Sequence, residues 1–468
     1  MLPKGFLVKL IRAGIVRYFM VAGLAGWQAS AGTATNLMAQ TNAIPWGDRE
    51  LALADCLNLA LSQNSAIRKS ATDLEAAYGV VVQTRAILIP KVRTRSDYQI
   101  NDAQAIDKYP FPAGLIDIPY PDQRWSANVQ LVQSIYEGGR MASAVRTARL
   151  TKEQALLTHQ TAIADALLEV RVAFYDGLLA RQQIIVQEAS VKLLAQELED
   201  TKRRFEAGTV PRFNVLRAEV ELANAKPRLI KARNYFRISK NNLAHLLGYS
   251  IPKEYSEDIP MRLAGELRAD PYEIELAASV AKAFQSRPEL AALRKSVLLR
   301  EEGVIQAKAG YKPSFQTFGG YESRSSSFSR DLGRDVSGWF AGAQMSWDIF
   351  DGLLTKGKVD EARARLHKAR LETDDTGRRI ELEVRTAYSN FLEAREVIES
   401  QKKVQEQAEE ALRLATARAE AGSGTQLDVL NAQTSLTEAR TTQIQALRDY
   451  SVARARFDRA IGQTILQP

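Results

Sequence analysis

The chain has 468 residues, 45% of them hydrophobic and 25% charged, enough for a large core or for two structural units. Its formal charge of +8 includes Lys4, Lys9, Arg12 and Arg17 near the N-terminus; eight less four leaves +4, too little to argue for nucleic acid, and no basic-aromatic cluster supports it. A single cysteine, Cys56, excludes an internal disulfide and any multi-cysteine metal site, and His159, His245 and His367 stand far apart, as solvated or packed helix residues do.

Residues 1–31 read as a secretory signal, with those four basic residues, an apolar run from Tyr18 to Trp27, and Ala29-Ser30-Ala31 as the cleavage site. The run of about 10 residues is half the ~20 that a spanning helix needs. Residues 32–50 are polar and irregular, a flexible lead-in. Leu53-Ala54-Asp55-Cys56 superficially resembles a lipidation box, but it follows GDRE rather than an apolar run. Cys56 instead fits a helix face with Leu53, Ala60 and Leu61.

A short helix over 51–65 and a longer one over 66–89 end at Pro90. Val92, Thr94, Ser96, Tyr98 and Ile100 then alternate with charged or polar residues. After a Pro- and Tyr-rich loop, Asp102–Asp122, a second alternation holds Trp125, Ala127, Val129, Leu131 and Ile135 on one face. Period-2 patterning over ~10 residues, with Trp125 at one end and Tyr136 at the other, suits a transmembrane strand or a soluble hairpin. Export, with no later membrane helix, favours the first. Gly138-Gly139 marks the change to a long helix, which turns at KRRFEAGTVPRFNVL (202–216). The returning helix contains Pro227, which should bend it.

Residues 249–272, with Pro252, Pro260 and Pro271, join this half to a second copy of itself. Helices over 275–287 and 288–311 come first, then strands with Phe315, Thr317, Gly319 and Tyr321 and with Trp339, Ala341, Ala343, Met345, Trp347 and Ile349. Ser325–Val336 is the loop between them. From Gly352 to Ala421 there is no proline, and Val384, Ala387, Phe391, Ala394 and Ile398 step by 3 and 4, the coiled-coil period. The tip is ARAEAGSGTQLDVLN (417–431), where Gly422 suits a left-handed cap and Thr425 an N-cap. Leu436, Ala439, Ala446, Tyr450 and Ala453 continue the period on the way back. Adding 214 maps Arg204, Glu206, Gly208, Val215 and Leu216 onto identical residues at 418, 420, 422, 429 and 430, so the chain is an internal duplication. Two hairpins cannot close a barrel, and open edges are forbidden in lipid. Several chains are expected to build one.

With these parts in place, the two tips and the segments WSANVQLVQSIYEGGR and WFAGAQMSWDIFDG resemble the TolC family of outer-membrane efflux and secretion channels over about residues 51–463. The resemblance implies an α+β, predominantly α fold with repeats at 51–248 and 273–468 joined by a linker at 249–272. It implies a homotrimer in which four strands per chain make one twelve-stranded barrel in the outer-membrane lipid, above a periplasmic α-barrel. The implied function is a passive duct, without cofactor or catalysis, that takes cargo from an inner-membrane pump of the ABC or resistance-nodulation-division type through a periplasmic membrane-fusion adaptor. Drugs, metal ions and polypeptides all leave through this architecture.

The tip residues Gly208, Thr209, Asn214, Gly422, Thr425, Asp428 and Asn431 are the expected gate and adaptor contact. The family often has aspartate at both tips; here Asn214 replaces one, which leaves Asp428 as the acid at the narrow end. Trp125, Val129, Leu131, Trp339, Met345 and Trp347 are expected to face lipid, and Asn128, Gln130, Gln344 and Ser346 the lumen. The competing class is a periplasmic coiled-coil adaptor or scaffold, which leaves the four alternating strands unexplained. No Gly-rich phosphate loop, nucleophile elbow or histidine-carboxylate cluster suggests an enzyme.

Overall fold

The structure, a computed structural model, describes residues 50–102, 123–250, 258–325 and 332–463. The expected signal, the lead-in before Glu50, nearly all of the loop Asp102–Asp122 and half of Ser325–Val336 lie outside those residues.

Helices α1 (Leu53–Gln63) and α2 (Ser65–Arg85) are separated by one residue, Asn64. Its Oδ1 accepts from the amides of Ala66 at 2.8 Å and Ile67 at 3.2 Å, and its Nδ2 donates to the Leu246 carbonyl at 2.6 Å. One buried side chain thus satisfies orphan groups on two helix ends. On α1 the buried face is Cys56, Leu57 and Ala60, with Leu53 and Leu61 only half-buried. A 3-10 turn, Ala86–Leu88, leads to β1 (Lys91–Ile100), and β2 (Gln123–Glu137) returns. Then follow α3 (Arg140–Glu206) and α4 (Arg212–Leu246).

The second half repeats the order as α5 (Leu276–Ser286), α6 (Pro288–Lys308), β3 (Ser314–Ser325), β4 (Asp335–Ser346), α7 (Leu354–Glu420) and α8 (Gln426–Ala460). Helices α3 and α7 each have 67 residues, and α4 and α8 each have 35. At 1.5 Å per residue the long helices run roughly 100 Å. Pro227 does not break α4, which continues through it at an exposed position. There water can take the carbonyl that the missing N–H leaves free.

The four strands form one antiparallel sheet in the order β1-β2-β3-β4. β2 pairs with β3 across the duplication, Val129 opposite Tyr321, so the two hairpins are fused rather than separate. The register breaks between Ser134 and Tyr136, which sets Ile135 out of the expected alternation and brings Tyr136 opposite Phe315. Trp347 and Ile349, expected on the last strand, lie beyond its end at Ser346. Strand gives way to helix through left-handed residues, Gly138 and Gly139 before α3 and Gly352 and Leu353 before α7. Gly138 admits no side chain, because a Cβ there would stand 2.6 Å from the Ala309 carbonyl oxygen.

The segment between the halves is more than a linker. Ile259, Met261 and Leu263 are buried, Leu51 forms a parallel bridge with Leu263, and the buried Lys240 donates to the Ile259 carbonyl at 2.8 Å. Tyr272 enters the core of the second half, 5.8 Å from Phe391 by ring centroids, and Phe391 lies 5.1 Å from Tyr450. The Tyr272 hydroxyl donates to Asp458 Oδ1 at 2.8 Å. Burial and the Asp458 carboxylate push this phenol up to about 12, so it stays a donor at any working pH.

Of the expected coiled-coil positions, Val384, Phe391, Ala394, Leu436, Ala439, Ala446, Tyr450 and Ala453 are buried, and Ala387 and Ile398 are half-buried. Phe391 has no exposed surface and touches rings from α8 and from the segment between the halves. Phe391→Ala is therefore expected to cost about 3–5 kcal/mol. Circular dichroism of the detergent-extracted protein should show a lowered denaturation midpoint.

Candidate functional site

The two hairpin tips share a backbone and differ in their side-chain chemistry. At the first, Gly208 turns left-handed at φ +74° and the Thr209 amide and hydroxyl donate to the Arg204 carbonyl at 2.9 and 2.8 Å. At the second, Gly422 takes φ +72°, and the Ser423 amide and hydroxyl donate to the Arg418 carbonyl at 3.0 and 3.3 Å. Both long helices thus end on the same glycine cap. The return helices begin differently. Pro211 occupies the N-cap of α4 and offers no side-chain acceptor. Thr425 caps α8 by accepting from the Asp428 amide at 3.2 Å, while Asp428 Oδ2 accepts from the Thr425 amide at 2.9 Å and its hydroxyl at 2.7 Å.

Asp428 is thus the reciprocal half of a capping box as well as an exposed acid at a tip. The Thr425 hydroxyl and amide, with help from the Arg418 charge, hold its carboxyl below the usual aspartate range. Asn431 is exposed one turn further on, and Asn214 is half-buried in the first turn of α4. The tips are also tied to the body of the chain. Gln426 Nε2 donates to Glu197 Oε1 at 2.9 Å and to the buried Thr201 hydroxyl, both on α3. Further along the same seam Arg448 pairs with Asp176 at 2.6 Å and Arg459 with Asp165 at 2.7 Å. Gln426 escaped the sequence reading because its partners lie more than 200 positions away and no local pattern marks them.

On the sheet, the expected residues gather on one face. Tyr98 stands opposite Trp125, and Tyr321 opposite Trp339, with Val129, Leu131 and Met345 between them and the helices. Trp339 is 82% exposed, and this face carries no charge on the strands except Asp335 at the far end of β4. Trp347 joins it from beyond the strand, its Nε1 donating to the Tyr311 carbonyl at 3.2 Å. The opposite face holds Arg93, Arg95, Asp97, Asn128, Gln130, Gln316, Glu322, Gln344 and Ser346. Two aromatic residues interrupt it: Phe318 lies over Gly342 and Phe340 over Gly320, with ring centroids 6.2 Å apart. Any Cβ at those glycines would meet the rings at 2.7 and 3.0 Å.

Among the described residues no group of three His, Cys, Asp or Glu could hold a metal ion, and no helix is long and apolar enough to cross a membrane.

A family described as outer membrane efflux protein matches residues 56–249 and 280–463. The outer membrane protein TolC of Vibrio cholerae serotype O1 is 24% identical over 418 residues, covering 88% of this chain and 90% of that protein. The cobalt-zinc-cadmium resistance protein CzcC of Cupriavidus metallidurans is 25% identical over 436 residues, covering 90% and 94%. In fold, the chain is similar to the Campylobacter jejuni CmeC outer membrane channel, with TM-score 0.74 at 15% identity over 88% of this chain and 86% of that one.

The capping box at the second tip has a pH signature. A carboxyl depressed by folding stabilises at any pH above its unfolded value and loses that contribution as pH falls through its folded one. The protection of the Asp428 amide, its hydrogen-exchange rate relative to an unstructured peptide at the same pH, should therefore be greatest near neutrality and fall below the ordinary aspartate range. Thr425→Ala should lower that protection several-fold at neutral pH, while Thr209→Ala, which acts on the end of α3, should leave it unchanged.

Proposed function

The chain belongs to the outer membrane efflux protein family, and we propose that three copies of it close one duct, gated at the hairpin tips. Members of the family are channels of the outer membrane with a helical part in the periplasm, serving efflux or type I secretion, and this chain is such a channel. The observation that carries the trimeric reading is the pair of unpaired edges on β1 and β4. Lipid offers no hydrogen bonds to a strand edge, so β4 of one copy must pair with β1 of the next. Four strands per chain and three chains supply a twelve-stranded barrel.

The helices support the same arrangement. Within one chain α8 packs along α3, and by the symmetry of the duplication α4 packs against α7 of the neighbouring copy in the proposed trimer. Phe213, Leu216, Val220 and Ile230 on α4, and Leu382, Val397, Val404 and Leu414 on α7, are exposed in the single chain and suited to that seam. In this reading residues 51–248 and 273–468 are the two repeats, and residues 1–31 direct export. Trp125, Val129, Leu131, Trp339, Met345 and Trp347 meet lipid. Gly208, Thr209, Asn214, Gly422, Thr425, Asp428 and Asn431 form the gate and the docking surface for a periplasmic membrane-fusion adaptor. An inner-membrane pump of the ABC or resistance-nodulation-division type supplies the energy.

Native mass spectrometry of the detergent-extracted protein should record a trimer; a stable monomer refutes the arrangement. Leu131→Arg, on the lipid face, should destabilise by ~2–4 kcal/mol, whereas Gln130→Arg, one residue away on the lumen face, should be tolerated. Equal losses of trimer from both variants would count against the membrane assignment.

Three copies of Asp428 around one axis place three carboxylates where the helices converge, and low-dielectric walls focus their field. Asparagine keeps a side-chain oxygen for the cap and removes the charge. Asp428→Asn should therefore retain the trimer while weakening cation preference and block by multivalent cations in planar-bilayer recordings. Unchanged permeation in the variant leaves Asp428 with its capping role alone.

A further inference from the structure

Charge on the strands is segregated by face and uneven in sign. The inner face carries Lys91, Arg93, Arg95, Arg124 and Arg324 against Asp97, Glu322 and Glu137. Glu137, next to the helices, pairs with Arg140 at 3.7 Å, which leaves five basic groups against two acids in each chain. Lys91, Arg93 and Arg95 stand in a column on β1, at every second residue and so roughly 7 Å apart. Among the described residues none of the three makes a side-chain hydrogen bond or ion pair, and all are exposed. Asp97 already accepts from the Ser126 hydroxyl at 2.7 Å. In the ladder their rows continue through Val132, Gln130 and Asn128 to Phe318, Gly320 and Glu322, so the only acid in those rows sits two strands away.

We infer that the inner wall of the barrel is an anion-favouring section of the duct, with Lys91, Arg93 and Arg95 as its selectivity residues; the inference rests on the barrel reading above. Three copies bring nine unpaired basic groups into one lumen. Neighbours in a column lie within the ~10 Å Debye length of 0.1 M salt, so their fields add rather than being screened apart. Closing the barrel pairs the β1 backbone with the neighbouring β4 but leaves these side chains inside. The solutes favoured are small anions, inorganic or organic. The duct then carries opposite selectivity at its two ends, acidic at the tips and basic in the barrel. A basic edge strand can also serve only to deter edge-to-edge aggregation before assembly. That role predicts no effect on solutes in the finished trimer.

The test uses the full-length trimer in phosphatidylcholine vesicles with Gln130→Cys as a reporter, opposite Arg93 in the ladder. Native Cys56 does not compete, being buried with its thiol pushed up to about 12 by burial and the neighbouring Asp55. Modification rates are compared for a sulfonate-bearing and a trimethylammonium-bearing methanethiosulfonate. In about 10 mM salt, where the Debye length is ~30 Å, the anionic reagent should gain roughly tenfold over the cationic one, relative to a free thiol. The gain should fall several-fold in the Lys91→Gln, Arg93→Gln, Arg95→Gln triple variant. It should also collapse for the reporter alone in about 1 M salt, a comparison that needs no further substitution and decides the matter if the triple variant fails to assemble. A reagent ratio that neither salt nor substitution moves overturns the inference. Leu131→Cys, on the lipid face, separates the two levels: its protection from both reagents keeps the barrel reading in place whatever the ratio does. Reaction there as fast as at Gln130→Cys removes the barrel, and the inference with it.

Discussion

A strand edge in hydrocarbon has nowhere to send its N–H and C=O groups, and most of this protein's organisation answers that constraint. The duplication supplies four strands, and the β2–β3 pairing fuses them into one sheet, but β1 and β4 remain as edges. In the trimer proposed above they are satisfied by further copies. Once the sheet closes, everything attached to it is arranged as well. β2 runs through Gly138 and Gly139 into α3, and β4 through Gly352 and Leu353 into α7, so each hairpin of strands delivers one long helix. The tight approach of Gly138 to the Ala309 carbonyl keeps that turn short and the helix in step with the strand.

The two tips show how one repeat can diverge without changing its backbone. Both use a left-handed glycine and a carbonyl four residues before it, at Arg204 and Arg418. The second return helix is then secured by Thr425 and Asp428 and anchored through Gln426 to α3, whereas the first relies on the fixed φ of Pro211. A carboxylate that caps a helix is constrained in position, which is what the fixed charge proposed for the tip requires.

Much of this was legible in the sequence because the signals were local and periodic. Steps of 3 and 4 placed Phe391 and Tyr450 in a seam, and Gly422 and Thr425 carried cap chemistry that only their own neighbours had to complete. The faces of the sheet followed from period 2, until the bulge at Ile135 shifted the register, which no composition signal announces. At the first tip Thr209, named in the sequence only as a tip residue, secures the end of α3. What stayed hidden depends on distant partners. Phe318 and Phe340 sit on a polar face because glycines on adjacent strands make room for them, and residues 249–272 look like a linker until Leu263 and Tyr272 find the surfaces they cover.

The equal lengths of the paired helices, 67 with 67 and 35 with 35, make the chain its own ruler. Inserting one heptad into α3 alone would lower the first tip by about 10 Å relative to the second. Gln426 would then face the wrong turn of α3, and Glu197 and Thr201 would lose their partner. Lengthening this molecule to span a wider gap therefore means adding the same number of turns to all four arms, in whole heptads, so that every seam keeps its register. A change of reach in such a protein is a coordinated event in both halves of the gene.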